Sequence, residues 1–149
     1  MKFENLGYKK QIKLLSKPET ETFALYLKAH YETVSYLKKE LDIIKKLLVV
    51  KHSLLRAEKF HIEEYEQQNI IKRKIIDSFA KQCSTIITVI ECLRKHQNNI
   101  KNLSTEIDSL QKLRLKKREL YKEKKQVLAD YIKFCAGQIT TATQGNNTQ

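Results

Sequence analysis

Few side chains of this sequence have the type and spacing that chemistry requires. Its four histidines and three cysteines show no local Ser/His/Asp or Cys/His catalytic pattern. Cys92 and His96 are four residues apart, so on a helix they would share a face and could supply two of the four ligands of a zinc site. The sequence offers no second pair of ligands beside them, and we therefore expect neither a metal nor another cofactor.

Carboxylates and glycines also argue against catalysis. Glu63 and Glu64 are adjacent, so on a helix they point in different directions and cannot act together as an acid/base pair. With only three glycines, the chain does not carry the glycine-rich loops that bind phosphates in nucleotide enzymes. We predict that the protein is not an enzyme.

A basic stretch in the C-terminal half is more informative. Residues 112–125 hold eight lysines and arginines against only two acidic residues. Charge of this density attracts acidic protein partners, and it also suits phosphate groups. We expect Lys116, Lys117 and Arg118 to be solvated, and a merely solubilising surface is the alternative. The expected partner-binding residues are Lys112, Arg114, Lys116, Lys117, Arg118, Lys122, Lys124 and Lys125.

Nucleic acid is a less favoured partner for this stretch than protein. Tyr121 is its only aromatic residue, which is too few for stacking on single-stranded bases. The sequence also carries no helix-turn-helix, zinc-finger or RNA-binding signature. We therefore expect protein partners.

The elements that position these side chains are predicted to be helices. Three glycines and one proline are too few for the turns of sandwiches and barrels. Between Pro18 and Gly137 the sequence has no glycine or proline at all. Ser16, Pro18 and Glu19 are typical of a helix start, and Gly137 is typical of a helix end.

Apolar residues recur in heptads within this region, which indicates a coiled coil. The second of two heptad rows is interrupted by Lys51 and Glu58. After Ile100 the pattern shifts by one residue, to Leu103, Leu110, Leu113, Leu120, Val127 and Phe134. We expect Ile86 and Ile90 to lie in the core. The first row runs through Leu27, Val34, Leu41, Leu48, Leu55, Ile62, Cys83 and Ile90, and the second through Leu37, Ile44, Phe79, Ile86, Leu93 and Ile100.

One continuous helix of this length would reach about 175 Å and would need a partner along all of it. We therefore predict an all-α fold, an elongated antiparallel two-helix coiled-coil hairpin over residues 16–137. A short N-terminal segment, 1–15, and a disordered, flexible C-terminal tail, 138–149, complete it. We favour a turn at 57–63, where the second row fails; the alternative is 97–104, which is rich in Asn and Ser.

The sequence also predicts a cytoplasmic protein. The three cysteines are an odd number with no Cys-x-x-Cys pair, which favours a reducing compartment over a disulfide framework. The N-terminus has no apolar run of signal-peptide length, and no run approaches the roughly 20 apolar residues that a membrane span needs. We expect no insertion into a membrane.

Two stretches resemble the small stalk proteins of bacterial type III secretion, the FliJ/YscO group and especially its SpaM/InvI branch. The first is IKLL at 12–15, which is similar to the opening of that family. The second is LRAE at 55–58, followed by EEY at 63–65 and QNIIKRKI at 68–75. It resembles the family's turn region, in which an acidic pair joins the two helices.

The resemblance implies a non-enzymatic protein of protein transport and virulence. Members of this family stand as an antiparallel coiled coil in the pore of the hexameric export ATPase, contact the export gate and escort secretion chaperones. With a turn near residue 60, the basic stretch would lie beside the N-terminus and enter that pore. Two other hypotheses remain open, a coiled-coil subunit of a eukaryotic tethering or cytoskeletal complex and a basic nucleic-acid-binding hairpin.

Overall fold

The computed structural model describes the backbone of residues 2–76 and 83–147, and the side chains of 2–64, 66–67 and 90–141. A 3-10 turn, Phe3–Asn5, precedes three α-helices: α1 (Tyr8–Leu15), α2 (Glu21–Ile76) and α3 (Cys83–Asn147). These described residues contain no strand, so the all-α prediction is confirmed. Over the same residues, no helix has an apolar stretch long enough to cross a membrane.

The chain divides into two compact units. The first comprises Met1–Asp42 with Leu115–Gln149. In it, the rings of Phe23 and Phe134 meet edge to face with centroids 5.5 Å apart, and Glu40 pairs with Lys117. Phe23 precedes Glu40 on α2, whereas its partner Phe134 follows Lys117 on α3. The two helices are therefore antiparallel.

The core of the first unit is closed by the N-terminal segment. Gln11 is buried and joins three elements, because its side-chain amide donates to the Phe3 carbonyl at 3.3 Å and accepts from the Tyr31 hydroxyl at 2.5 Å. Burying this amide without hydrogen-bond partners would lower the stability of the fold. The buried apolar residues around it are Phe3, Leu15, Ala24, Leu27, Leu128 and Cys135.

The predicted helix start at Ser16 is wrong by a few residues. The Ser16 hydroxyl donates back to the Ile12 carbonyl at 2.7 Å, within α1. The buried Thr20 hydroxyl donates to the Leu15 carbonyl at 2.7 Å and so satisfies the end of α1. Pro18 therefore lies in the turn between α1 and α2, and α2 begins at Glu21.

The second unit, Ile43–Arg114, has a smaller core of Ile44, Leu48 and Ile107. Its helices are antiparallel as well, since Lys51 pairs with Glu106 and Glu58 pairs with His96. The predicted antiparallel pairing of two long helices is thus confirmed within each unit.

Both predicted turn positions are wrong. Residues 57–63 lie inside α2 and 97–104 lie inside α3. The interruption of the heptad row at Lys51 and Glu58 is no break, because each of these side chains has a polar partner on α3. The Lys51 ammonium lies 2.5 Å from the Glu106 carboxylate. Instead, α2 continues to Ile76 and α3 begins at Cys83. Residues 77–82 lie outside the described residues.

The predicted shift of the heptad frame on α3 is wrong for half of its residues. Ile107, Leu128 and Cys135 are buried and continue the row of Ile100 at multiples of seven residues. By contrast, Ile90 is exposed, and so are three of the six residues expected on the shifted row, Leu113, Val127 and Phe134. The other three, Leu103, Leu110 and Leu120, are half-buried, and Leu110 packs against the core of the second unit. The side chains of Phe79, Cys83 and Ile86, which we expected in the core, lie outside the described residues.

The predicted helix end at Gly137 is wrong, since α3 continues to Asn147. A glycine commonly ends a helix by adopting a positive φ, and no glycine among the described residues does so. Beyond it, the Thr140 and Thr141 hydroxyls donate to the Ala136 and Gly137 carbonyls one turn back. The flexible tail over 138–149 and the division into 1–15, 16–137 and 138–149 stay predictions.

Candidate partner-binding surface

The structure divides the eight basic residues of 112–125 into two groups. Arg114, Lys117 and Lys124 are half-buried because they lie on the side of α3 that packs against α2. The remaining five are exposed: Lys112, Lys116, Arg118, Lys122 and Lys125. The second group is the more accessible to a partner, and in the first group Lys117 has a structural role.

Lys117 is the clearest case of this structural role. Its ammonium lies 2.8 Å from the Glu40 carboxylate of α2. That hydrogen bond holds the pKa of the Glu40 carboxyl below its ordinary value. The expectation that Lys117 is solvated is therefore wrong, whereas Lys116 and Arg118 are exposed as expected.

Three of the exposed cations form one surface in the first unit. Arg118, Lys122 and Lys125 follow one another at four and three residues, which places them on a single face of α3. The Lys125 ammonium lies 5.6 Å from the centre of the Tyr121 ring, a distance at which a cation and an aromatic ring attract each other. We call these three residues the α3 basic surface.

The α3 basic surface does not lie beside the N-terminus of the chain. Lys117, one residue before it, is opposite Glu40 of α2, and α2 itself begins at Glu21. The expected position depended on a turn near residue 60. Because α2 continues well past residue 60, the basic stretch faces the end of the first unit's part of α2, near Glu40.

A polar cluster in the second unit was missed by sequence reasoning. His96 Nδ1 donates to one oxygen of the Glu58 carboxylate, and the Asn99 side-chain amide donates to the other at 3.3 Å. The His61 ring stacks on the His96 ring with centroids 5.4 Å apart. The available signal was the acidic residue at a core position of the heptad, which requires a polar partner when it is packed against another helix.

His96 does not form the zinc site with Cys92 that the sequence analysis considered. His96 is bonded to Glu58, and Cys92 is a free, half-buried cysteine. Among the described side chains, no three His, Cys, Asp or Glu residues come together as metal ligands. The Glu58 cluster therefore acts as a polar contact between α2 and α3.

We expect this contact to make stability depend on pH. The His96 hydrogen bond holds the pKa of the Glu58 carboxyl below its ordinary value of 4.5. The stabilisation is thus present above that value and is lost as pH falls through the lower, folded-state pKa. Below pH 4.5, the free energy of urea unfolding should fall less in Glu58→Gln than in the wild type. The difference should be at most about 1 kcal/mol, because the pair is partly solvated.

The control for this measurement is Glu66→Gln, which removes an exposed glutamate of the same helix. Its pH profile should match the wild type. A Glu58→Gln profile as steep as that of the wild type would show that the carboxylate contributes nothing to acid sensitivity.

The first unit contains open clefts, among them one of about 390 Å³ and one of about 670 Å³. The first lies beside Pro18 and Leu25, and the second lies between the N-terminal segment and the Gly137 region of α3. Neither of these two is lined by histidine or cysteine, so neither offers an imidazole base or a thiol nucleophile. That the protein is not an enzyme stays a prediction.

Comparison with known proteins does not identify a family for this chain. No protein-family model matches the chain, and no curated protein or solved structure matches it either.

Proposed function

We propose that this protein is a non-enzymatic stalk and adaptor of a bacterial type III protein secretion system, working in the cytoplasm. It binds the export ATPase and escorts secretion chaperones to the export gate. The proposal is supported by the sequence resemblance of the stretches at 12–15 and 55–75 to the FliJ/YscO group, although residues 57–63 lie inside α2 and form no turn. The antiparallel pairing of two long helices within each unit is consistent with such a protein.

The observation that carries the proposal furthest is the α3 basic surface. Arg118, Lys122 and Lys125 are exposed on a helix that core residues such as Leu128 hold in place. Cations held this way keep a constant direction toward a partner. Exposed charges of this kind mainly raise the association rate with an acidic surface, and salt weakens the effect.

The test is the association rate of the full chain with its cognate export ATPase, measured by biolayer interferometry at low and moderate salt. The variant Arg118→Glu/Lys122→Glu/Lys125→Glu should associate about tenfold more slowly at low salt and differ less at moderate salt. Lys117 is left unchanged because it pairs with Glu40. Helicity should be unaffected, since all three positions are exposed.

A matched control separates the surface from the overall charge. Arg94→Glu/Lys95→Glu/Lys101→Glu reverses one arginine and two lysines that are exposed elsewhere on α3. It should associate like the wild type. Equal slowing by both variants would show a net-charge effect, and no slowing by either would remove the basic surface from ATPase binding. Salt-dependent retention of the wild type on DNA, with no ATPase binding, would favour the nucleic-acid hypothesis instead.

A further inference from the structure

In the second unit, α2 carries a row of apolar residues that is separate from its core row. The core row contains Ile44 and Leu48. The separate row consists of Ile43, Leu47, Val50 and Leu54, whose exposed fractions lie between 42% and 57%. We call these four residues the α2 apolar stripe.

The spacing of the α2 apolar stripe fits another helix. Its residues follow at intervals of four, three and four, the spacing with which side chains interlock between two packed helices. From Ile43 to Leu54 the stripe covers about 16 Å, or three helical turns. Four large apolar side chains exposed in one row exceed the scattered single exposures that any surface has.

Charges at the edges of the stripe differ between its two sides. Lys46 is exposed and lies three residues from Ile43 and four from Val50, so it borders the stripe on one edge. Lys51 is four residues from Leu47 and three from Leu54, so it borders the other edge, where its ammonium pairs with the Glu106 carboxylate. Within residues 43–62 the sequence has five cations and a single acid, Glu58, and Glu58 is bonded to His96 and Asn99.

These charges argue against a second copy of the chain as the occupant. In a parallel pair of stripes, the Lys46 edge of each copy would lie beside the Lys51 edge of the other. In an antiparallel pair, the two Lys46 edges would lie beside each other. Like charges placed opposite each other disfavour a pairing, whereas carboxylates at the same positions would favour it.

We propose that the α2 apolar stripe is the docking site for an amphipathic helix of a partner protein, with acidic residues on the side of its apolar row that meets Lys46. The inference does not depend on the proposed secretion function. It also concerns a different surface from Arg118, Lys122 and Lys125. The two can therefore fail separately.

The probe is a fluorescent synthetic helix of about three heptads with leucine at a and d and glutamate at e and g. Its binding to the full chain is measured by fluorescence anisotropy. The same peptide with lysine at e and g should not bind. Ile43→Ser/Val50→Ser should raise the Kd of the acidic peptide about tenfold or more, because it removes two apolar contacts. Raising the salt concentration should also weaken binding.

The chain offers a matched control for this substitution. Val49 is adjacent to Val50 and 60% exposed, but it lies outside the stripe, so Val49→Ser should bind the acidic peptide like the wild type. A second variant, Lys46→Glu, keeps the apolar row intact. It should weaken binding of the acidic peptide and allow binding of the basic one.

Several results would overturn the proposal. They are failure of the acidic peptide to bind the wild type, equal binding by the wild type and Ile43→Ser/Val50→Ser, and equal affinity for the two peptides. Sedimentation velocity provides the last test. A wild-type dimer that Ile43→Ser/Val50→Ser dissociates would assign the stripe to a second copy of the chain. Circular dichroism should show unchanged melting of the variants, since the substituted residues are exposed.

Discussion

Replacing Leu27 by Asp is expected to unfold most of the protein at temperatures where the wild type is fully helical. Leu27 has no exposed surface and packs in the core with Leu15, Leu128 and Cys135. An aspartate there buries a carboxyl group with no partner and also removes the leucine contacts. Together these effects cost about 4 kcal/mol or more, which is a large part of the 5–15 kcal/mol that typically stabilises a domain.

The measurement is thermal and urea unfolding followed by circular dichroism at 222 nm. Leu25→Asp is the matched control, because Leu25 is two residues away on the same helix and 65% exposed. Its unfolding midpoint should stay close to that of the wild type. Equal midpoints for the two variants would mean that Leu27 does not lie in a packed core.

Cys135 is expected to react with thiol reagents more than a hundredfold more slowly than Cys92 in the folded protein. Burial raises the pKa of the Cys135 thiol from 9.0 to about 11. Since only the thiolate reacts, this shift alone lowers the rate about a hundredfold. Cys135 also has no exposed surface, whereas Cys92 is half-buried.

The comparison uses iodoacetamide labelling at pH 8, with the two sites resolved by mass spectrometry of peptides. Cys83 is replaced by serine, so that two thiols report. Unfolding in urea is the control, and it should bring the two rates to within a few fold of each other. Similar rates in the folded protein would show that Cys135 is open to solvent, and the burial of this part of α3 would then be wrong.

The candidate surface was predictable from the sequence as a charge density but not as a set of contacts. Eight cations within residues 112–125 are evident from the letters alone. Which of these cations are exposed depends on which side of α3 packs against α2. Lys117 and Arg118 are neighbours in sequence and differ by about 100° around the helix. For that reason Lys117 pairs with Glu40 while Arg118 is exposed.

The α2 apolar stripe was likewise predictable as apolar sequence but not as an exposed surface. Ile43 and Ile44 are equally apolar and adjacent, and either could continue a heptad row. Packing against Ile107 buries Ile44 and leaves Ile43 exposed. The sequence thus predicts an apolar helix, and only the partner helix determines which of its faces remains available.

By itself, the sequence determined that the chain is helical. The scarcity of glycine and proline and the heptad rows suffice for this, since both act through neighbouring residues on one helix. The antiparallel pairing follows from length instead, because a single helix of about 175 Å would need a partner along all of it. Tertiary structure alone decided that residues 57–63 and 97–104 continue the helices rather than form a turn. Glu58 interrupts an apolar row, and the sequence therefore predicts a turn near it. In the structure it pairs with His96, which is 38 residues away in the sequence. A polar residue in a helix interface is stable only when its partner is present, and heptad periodicity carries no information about a residue so distant in sequence.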